Sequence, residues 1–207
     1  MAKIISEMRA GRAVSDRRSV PSGVAAASII GGNPAKGRRS ADFYPTPPEC
    51  TEALLRAERH HLSGFDLLWE PACGDGAICK RLEGDGFPTI ATDLHDRGFG
   101  VSGVDFLAEQ QRAADAIVTN PPFSLGEDFI RKADRLGVQY MALILKAHFW
   151  HAKRRTALFA EWSPARIHAM NWRPDFGGGG APTLDFIWCV WDRRSVTTTY
   201  RIMERPT

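Results

Sequence analysis

The sequence predicts an α/β protein built on a largely parallel sheet, and three observations carry that expectation. From Asp42 onward, short apolar runs alternate with helix-compatible stretches. Each run ends in Gly, Asp, Asn or Pro, where a chain turns. The residues able to do chemistry gather at those ends, and in open α/β sheets ligands sit beyond the carboxyl ends of the strands.

Taken in order, Thr51 to His60 (TEALLRAERH) has helical spacing after a proline-rich start. The runs FDLLWEP, PTIATDL, DAIVTNPP, QYMALILK, RIHAMNW and LDFIWCVW read as strands. AICKRLEGDG, SLGEDFIRKADRLG and HAKRRTALFAEW read as the helices between them. No internal repeat is visible. The chain has 207 residues, 43% hydrophobic and 25% charged, a composition that excludes wholesale disorder and collagen. No apolar run approaches the roughly 18 residues of a membrane span. The opening MAKIISEMRAGR places Glu7 and arginines where a signal peptide needs an apolar core, so a cytoplasmic location is expected. Cys50, Cys73, Cys79 and Cys189 form no CxxC pair, and neither a metal site nor a disulfide framework is expected.

Charge divides the chain in two. The formal net charge is +3, yet residues 1–40 hold eight basic residues against Glu7 and Asp16, leaving the rest net acidic. Residues 1–40 are also rich in Gly, Ser and Ala, and read as a flexible basic tail ahead of one domain over 41–207. Such a tail either adds sequence-independent attraction to nucleic-acid phosphates or is merely solvated.

The segment Leu67 to Gly76 (LLWEPACGDG) leaves a strand, turns on glycines and opens a helix. Glycine lets the backbone pass close to a ligand. The segment has neither a third glycine at dinucleotide-binding spacing nor a P-loop Lys-Ser/Thr, which favours a ligand without phosphates. Asp93 ends the second strand, placed to accept from ribose hydroxyls. Asp105-Phe106 follows, an acid and an aromatic suited to an adenine amino group and ring. Each of these residues also has an ordinary structural reading, as a turn, a helix cap or core. In this order they describe a site for an adenosine-bearing ligand.

Asn120-Pro121-Pro122-Phe123 is the most specific segment. A strand ends at Asn120, and two prolines fix the backbone that follows. An amino group conjugated to a ring is a poor nucleophile because its lone pair is delocalised. The Asn120 side-chain oxygen and the Pro121 carbonyl can bind its two hydrogens, and Phe123 can stack on the ring.

These motifs resemble the class I S-adenosylmethionine-dependent amino-methyltransferases, most of all the DNA adenine-N6 methyltransferases of phages and prophages. The resemblance covers roughly residues 42–192. It rests on DFYPTPP (42–48), EPACGDG (70–76), Asp93, Asp105-Phe106 and TNPPFSLGEDFI (119–130), with the cofactor motifs before NPPF as in the gamma arrangement. It implies a Rossmann-like methyltransferase fold, a mostly parallel seven-stranded sheet with helices on both faces. It also implies S-adenosyl-L-methionine as cofactor and no metal. Tyr44, Thr46 and Pro47 would line the methionine end. Glu70, Pro71, Ala72 and Gly74 would form the glycine loop, with Asp93 at the ribose and Asp105 and Phe106 at the adenine. Asn120, Pro121, Pro122 and Phe123 would meet the target base.

One departure stands out. Gamma enzymes usually carry a separate target-recognition domain, and the strand-like runs after Phe123 leave no room for one. Relaxed sequence preference or a partner is therefore expected, with DNA, or RNA, read by the loop Asn171–Phe176 and the glycines 177–180. Trp150, Trp172 and Phe176 are candidates for base stacking, and Arg173 for a phosphate or guanine. Lys153, Arg154 and Arg155 are either a phosphate-contacting patch or a solvated helix face. The competing readings are an RNA base methyltransferase (adenine N6 or guanine N2), a protein glutamine methyltransferase, and a non-catalytic nucleic-acid-binding protein. Asn at position 120, where cytosine-N4 enzymes usually have Ser, disfavours that chemistry.

Overall fold

The computed structural model describes residues 43–207. The expectation of a flexible basic tail over residues 1–40 lies outside the described residues.

Pro47 and Pro48 open helix α1 (Pro48–Leu62), where a fixed φ and a missing N–H cost nothing. Glu49 in its first turn, and Arg59, His60 and His61 in its last, complement the helix dipole. After it come β1 (Leu68–Glu70), α2 (Ala77–Gly84), β2 (Thr89–Asp93), β3 (Val101–Ser102), β4 (Ala116–Thr119) and α3 (Gly126–Arg135). The second half holds β5 (Tyr140–Lys146), α4 (Thr156–Glu161), β6 (Arg166–Met170), β7 (Phe186–Asp192) and β8 (Thr199–Met203).

The strands form one sheet in the order β3-β2-β1-β4-β5-β7-β6-β8, in which only β7 runs against the rest. The expected seven strands are thus eight. β3 has two residues, both exposed, and β8 is an edge strand exposed at four of its five positions. Neither buries enough apolar surface to show in the sequence as a run.

Alternation along β5 divides the core in two. Tyr140, Ala142 and Ile144 pack with Leu54, Leu55, Ile78 and Leu82 of α1 and α2. Met141, Leu143 and Leu145 pack with Phe129, Ile130 and Ala133 of α3 and Leu158 of α4. Helices therefore cover both faces, and each fully buried Leu, Ile or Phe contributes about 1.5–3 kcal/mol. Indoles tie the layers together. Trp188 Nε1 donates to the Cys50 carbonyl of α1 at 2.9 Å, and Trp69 Nε1 to Thr92 Oγ1 at 2.9 Å.

A charged cluster is buried between α1 and strands β5–β7. Glu58, fully buried, accepts from Arg166 Nε (2.8 and 3.1 Å) and the Tyr140 hydroxyl (3.0 Å), and lies 2.7 Å from His168 Nε2. Arg166 continues to Asp192 at 2.9 Å. Burial alone would raise the Glu58 carboxyl, but hydrogen bonds from His168 and Arg166 hold it below the usual carboxylate range.

Successive strands run from β1 to β2 and β3 on one side, and from β4 to β5 on the other. The order reverses between β1 and β4, the place where an open α/β sheet leaves a crevice.

Candidate active site

At that crevice the strand ends deliver Glu70 from β1, Asp93 from β2 and Asn120 just beyond β4. They line a cavity of about 590 Å³. Gly74 (φ 55°) and Gly76 (φ 80°) turn the chain from β1 into α2 in a backbone conformation that other residues rarely adopt. A Cβ on Gly76 would lie 2.5 Å from the Phe99 ring, and one on Gly74 would collide with Phe43.

Asp93, expected at a ribose, also builds the loop. Its Oδ2 accepts from Gly74 N (2.8 Å) and its Oδ1 from His95 N (2.7 Å). Each oxygen keeps a further lone pair, and the residue lines the cavity. Glu70 accepts from the Cys79 amide at 3.1 Å and thiol at 2.7 Å. Burial pushes its carboxyl well above the usual range, with Asp93 adding to the effect. Burial likewise pushes the Cys73 thiol up to about 12 and raises Cys50, Cys79 and Cys189, so none is a thiolate nucleophile at neutral pH.

Asn120 has the most informative geometry. Its Nδ2 donates to the Tyr44 carbonyl (3.2 Å) and to Thr46 Oγ1 (3.1 Å). A carbonyl can only accept, so the group facing Tyr44 must be the amide NH2, which fixes the side chain's orientation. Asn120 Oδ1 is then left buried with no donor among the described residues. An unpaired buried acceptor costs about 1–3 kcal/mol, a cost that a ligand supplying N–H groups would remove. The segment before α1 is thus a clamp on the residue after β4.

Phe123 lies beyond the two prolines, and the Pro122 carbonyl closes the turn by accepting from Leu125 N at 2.8 Å. Its ring stacks with Tyr44 (centroids 6.1 Å apart, 24° between planes) and packs on Phe186 and Phe176. Lys146, at the end of β5, holds its ammonium 4.6 Å from the Phe123 centroid.

The cavity wall includes Tyr44, Thr46, Glu70, Pro71, Ala72, Asp93, Asp105, Phe106, Asn120, Pro121, Pro122 and Phe123. Pro47 instead caps α1, and Gly74 lies behind the wall against Phe43. Phe106 is 3% exposed and packs edge-on to Trp69 and tilted against Phe129, so its ring belongs to the core as well as the wall. The four residues proposed to read the substrate are not on the wall. Trp150 packs on Phe159 (4.7 Å), Trp172 is half-buried against the core, and Arg173 pairs with Asp185 at 2.8 Å on the surface. Phe176 sits one layer behind Phe123. The glycines 177–180 wrap the Asp175 carboxylate, which accepts from the Gly177 and Gly180 amides.

The wall also holds residues that sequence reasoning missed. Leu94, 52% exposed, follows Asp93, and Arg97 places its guanidinium 4.4 Å from the Phe43 centroid. A large apolar residue directly after a strand-end acid was the available signal for Leu94. Phe43 sits in the DFYPTPP motif without a role of its own being expected, and nothing local marked Lys146. Among the described residues no group of three or more His, Cys, Asp or Glu is placed to hold a metal, and no helix is long and apolar enough to cross a membrane.

This arrangement suits an adenosine-bearing ligand. The strand-end carboxyl groups of Glu70 and Asp93 offer polar contacts, and Leu94 and Phe106 offer apolar walls. The glycine loop has no lysine for a phosphate.

The architecture is that of the Rossmann-like methyltransferases. No family model matches the chain, and no curated protein matches it. Solved structures do. A putative RNA methyltransferase from Pyrococcus horikoshii is similar over 76% of this chain and 92% of its own, with a TM-score of 0.59 and 14% identity. A modification subunit of a putative type I restriction enzyme from Vibrio vulnificus is similar over 81% of this chain and 48% of its own (TM-score 0.56, 13% identity). A dimethyladenosine transferase from Plasmodium falciparum is similar over 72% and 62% (TM-score 0.54, 14% identity).

Proposed function

We propose that this chain is an S-adenosylmethionine-dependent methyltransferase that modifies the exocyclic N6 of adenine in DNA. The observation that carries the reading is Asn120, whose amide is clamped by Tyr44 and Thr46 so that a buried acceptor stands unpaired at the head of a Pro-Pro turn. Three of the similar structures carry names from RNA methylation, restriction-modification and dimethyladenosine formation, which supports a nucleic-acid substrate.

The cofactor, when bound, supplies a methyl group on a sulfonium that is open to direct displacement. Asp93, with the turn after β1, would hold its nucleoside. Asn120 Oδ1 and the Pro121 carbonyl accept the two hydrogens of the target amino group. That pairing turns the nitrogen lone pair out of conjugation and stabilises the positive charge it gains. The methylated nitrogen then gives its extra proton to solvent, because neither amide oxygen is basic enough to keep it. Phe123 supplies the stacking face. An adenine amino group in a duplex is out of reach, so the base is flipped from the stack.

The test is nucleoside mass spectrometry after incubating the protein and S-adenosylmethionine with unmethylated DNA and, in parallel, with RNA. N6-methyladenine in DNA is the expected product. A methylated base in RNA alone would keep the chemistry and overturn the substrate. Methyl incorporation into neither nucleic acid, with cofactor binding intact, would overturn the reading.

A further inference from the structure

Residues 146–155 connect β5 to α4 and read KAHFWHAKRR, with Lys146, His148, His151, Lys153, Arg154 and Arg155 and no acidic residue. The segment folds as two short 3-10 turns, Ala147–Trp150 and Lys153–Arg155. Phe149 is buried, and Arg155 staples the turns by donating to its carbonyl at 2.7 Å with its guanidinium 3.9 Å from the Phe149 centroid. Trp150 stacks on Phe159. Once those three side chains are spent on packing, His148, His151, Lys153 and Arg154 are all exposed.

The position of this strip matters as much as its charge. It begins at the carboxyl end of β5, the edge that also carries the cavity. Phe149 packs so closely on Gly126 that a Cβ there would lie 3.2 Å away, and Gly126 directly follows the Asn120–Leu125 turn. The strip therefore abuts that turn. Glu127 is the one acid that the described ion pairs place near it, 3.9 Å from Arg154 and 3.7 Å from Arg155, and it also pairs with Arg131. At the inner end, Lys146 and Tyr44 both neighbour the Phe123 ring.

We propose that the exposed Lys153 and Arg154 of this strip bind the backbone phosphates of the strand presenting the target base. This rests on the nucleic-acid reading above. Exposed cations beside a cavity mouth give sequence-independent affinity and orient the strand, with no base readout required.

The test uses the full chain with Lys153→Gln/Arg154→Gln. Binding of a fluorescent oligonucleotide duplex is measured across a salt series, beside KM and kcat. On duplex DNA the double variant should flatten the slope of log K against log salt by about 2. The loss should fall more on KM than on kcat. Undiminished binding of S-adenosylmethionine by calorimetry would show that the variant folds. Unchanged slope and KM in the double variant, while wild type methylates nucleic acid, would overturn the strip and leave the reading standing. A wild type that binds the cofactor but neither binds nor methylates nucleic acid would overturn both.

Discussion

Two polar clusters of this protein are built on opposite terms. Under β5–β7 the charges are paired. Glu58 takes bonds from Arg166, Tyr140 and His168, and Asp192 takes bonds from Arg166 and Arg194. At the cavity Asn120 is held just as firmly through its nitrogen, yet its oxygen has no partner. In the first cluster every charge is paired, only His168 Nδ1 is left without a partner among the described residues, and the cluster works for stability. The second keeps an open bond at the cavity wall, where a ligand can close it. Removing a group from one should therefore unfold the protein, and from the other should stop it working.

The largest expected effect is on the closed cluster. Glu58→Gln keeps the shape but leaves Arg166 and His168 without their anion, and should cost about 3–5 kcal/mol in urea unfolding. A loss under about 1 kcal/mol would break the comparison, because Arg166 would then be satisfied elsewhere. Asn120→Ala should do the reverse. Methyl transfer should fall by about 10²–10³-fold, the usual loss when one positioned hydrogen-bond partner of the transition state is removed. Cofactor affinity and the unfolding midpoint should stay near wild type. Retained turnover would remove Asn120 from its assigned role.

Acid separates the clusters as well. Burial would raise the Asp192 carboxyl, but hydrogen bonds from Arg194 and Arg166 hold it down to about 2 from an ordinary 3.8, and Glu58 is depressed in the same direction. A depressed carboxyl contributes stability that is complete above its unfolded value and is lost as pH falls through its folded one. Stability should hold above roughly pH 5 and drop between about pH 4 and 2, with Asp192 alone accounting for about 2 kcal/mol. Asn120→Ala should follow the wild-type curve, because no titrating group has changed. A flat wild-type profile across that window would mean that the carboxylates are not held as described.

The same division explains what could be read in the sequence. Six of the eight strands announce themselves as apolar runs, of which YMALILK and FIWCVW are buried on both faces. β3 and β8 are too short and exposed to do so. Asn120, the glycine turn and Asp93 were legible because backbone geometry ties their chemistry to strand ends. Arg97 and Lys146 were not, since they come from separate segments and carry no local pattern. Aromatic residues were the least readable. Trp150 and Phe176 look the same in a sequence whether they stack on a base or on Phe159 and Phe186. Nor does anything in RIHAM reveal that Arg166 and His168 face a glutamate in the helix over a hundred residues earlier.

The smallest effect is the sharpest test of what an unpaired atom means here. Thr119, immediately before Asn120, is fully buried and its hydroxyl also lacks a partner. Thr119→Val keeps the shape and removes that hydroxyl. If Thr119 is only the last residue of a buried strand, the change should leave turnover alone and raise stability by up to about 1 kcal/mol, since an unsatisfied group has gone. Asn120 one residue later should give the opposite result, lost turnover at constant stability. Should Thr119→Val also cost turnover, measured as kcat on the same oligonucleotide, the open bond at this site would be shared by two oxygens. Asn120 would then be half of the acceptor rather than all of it.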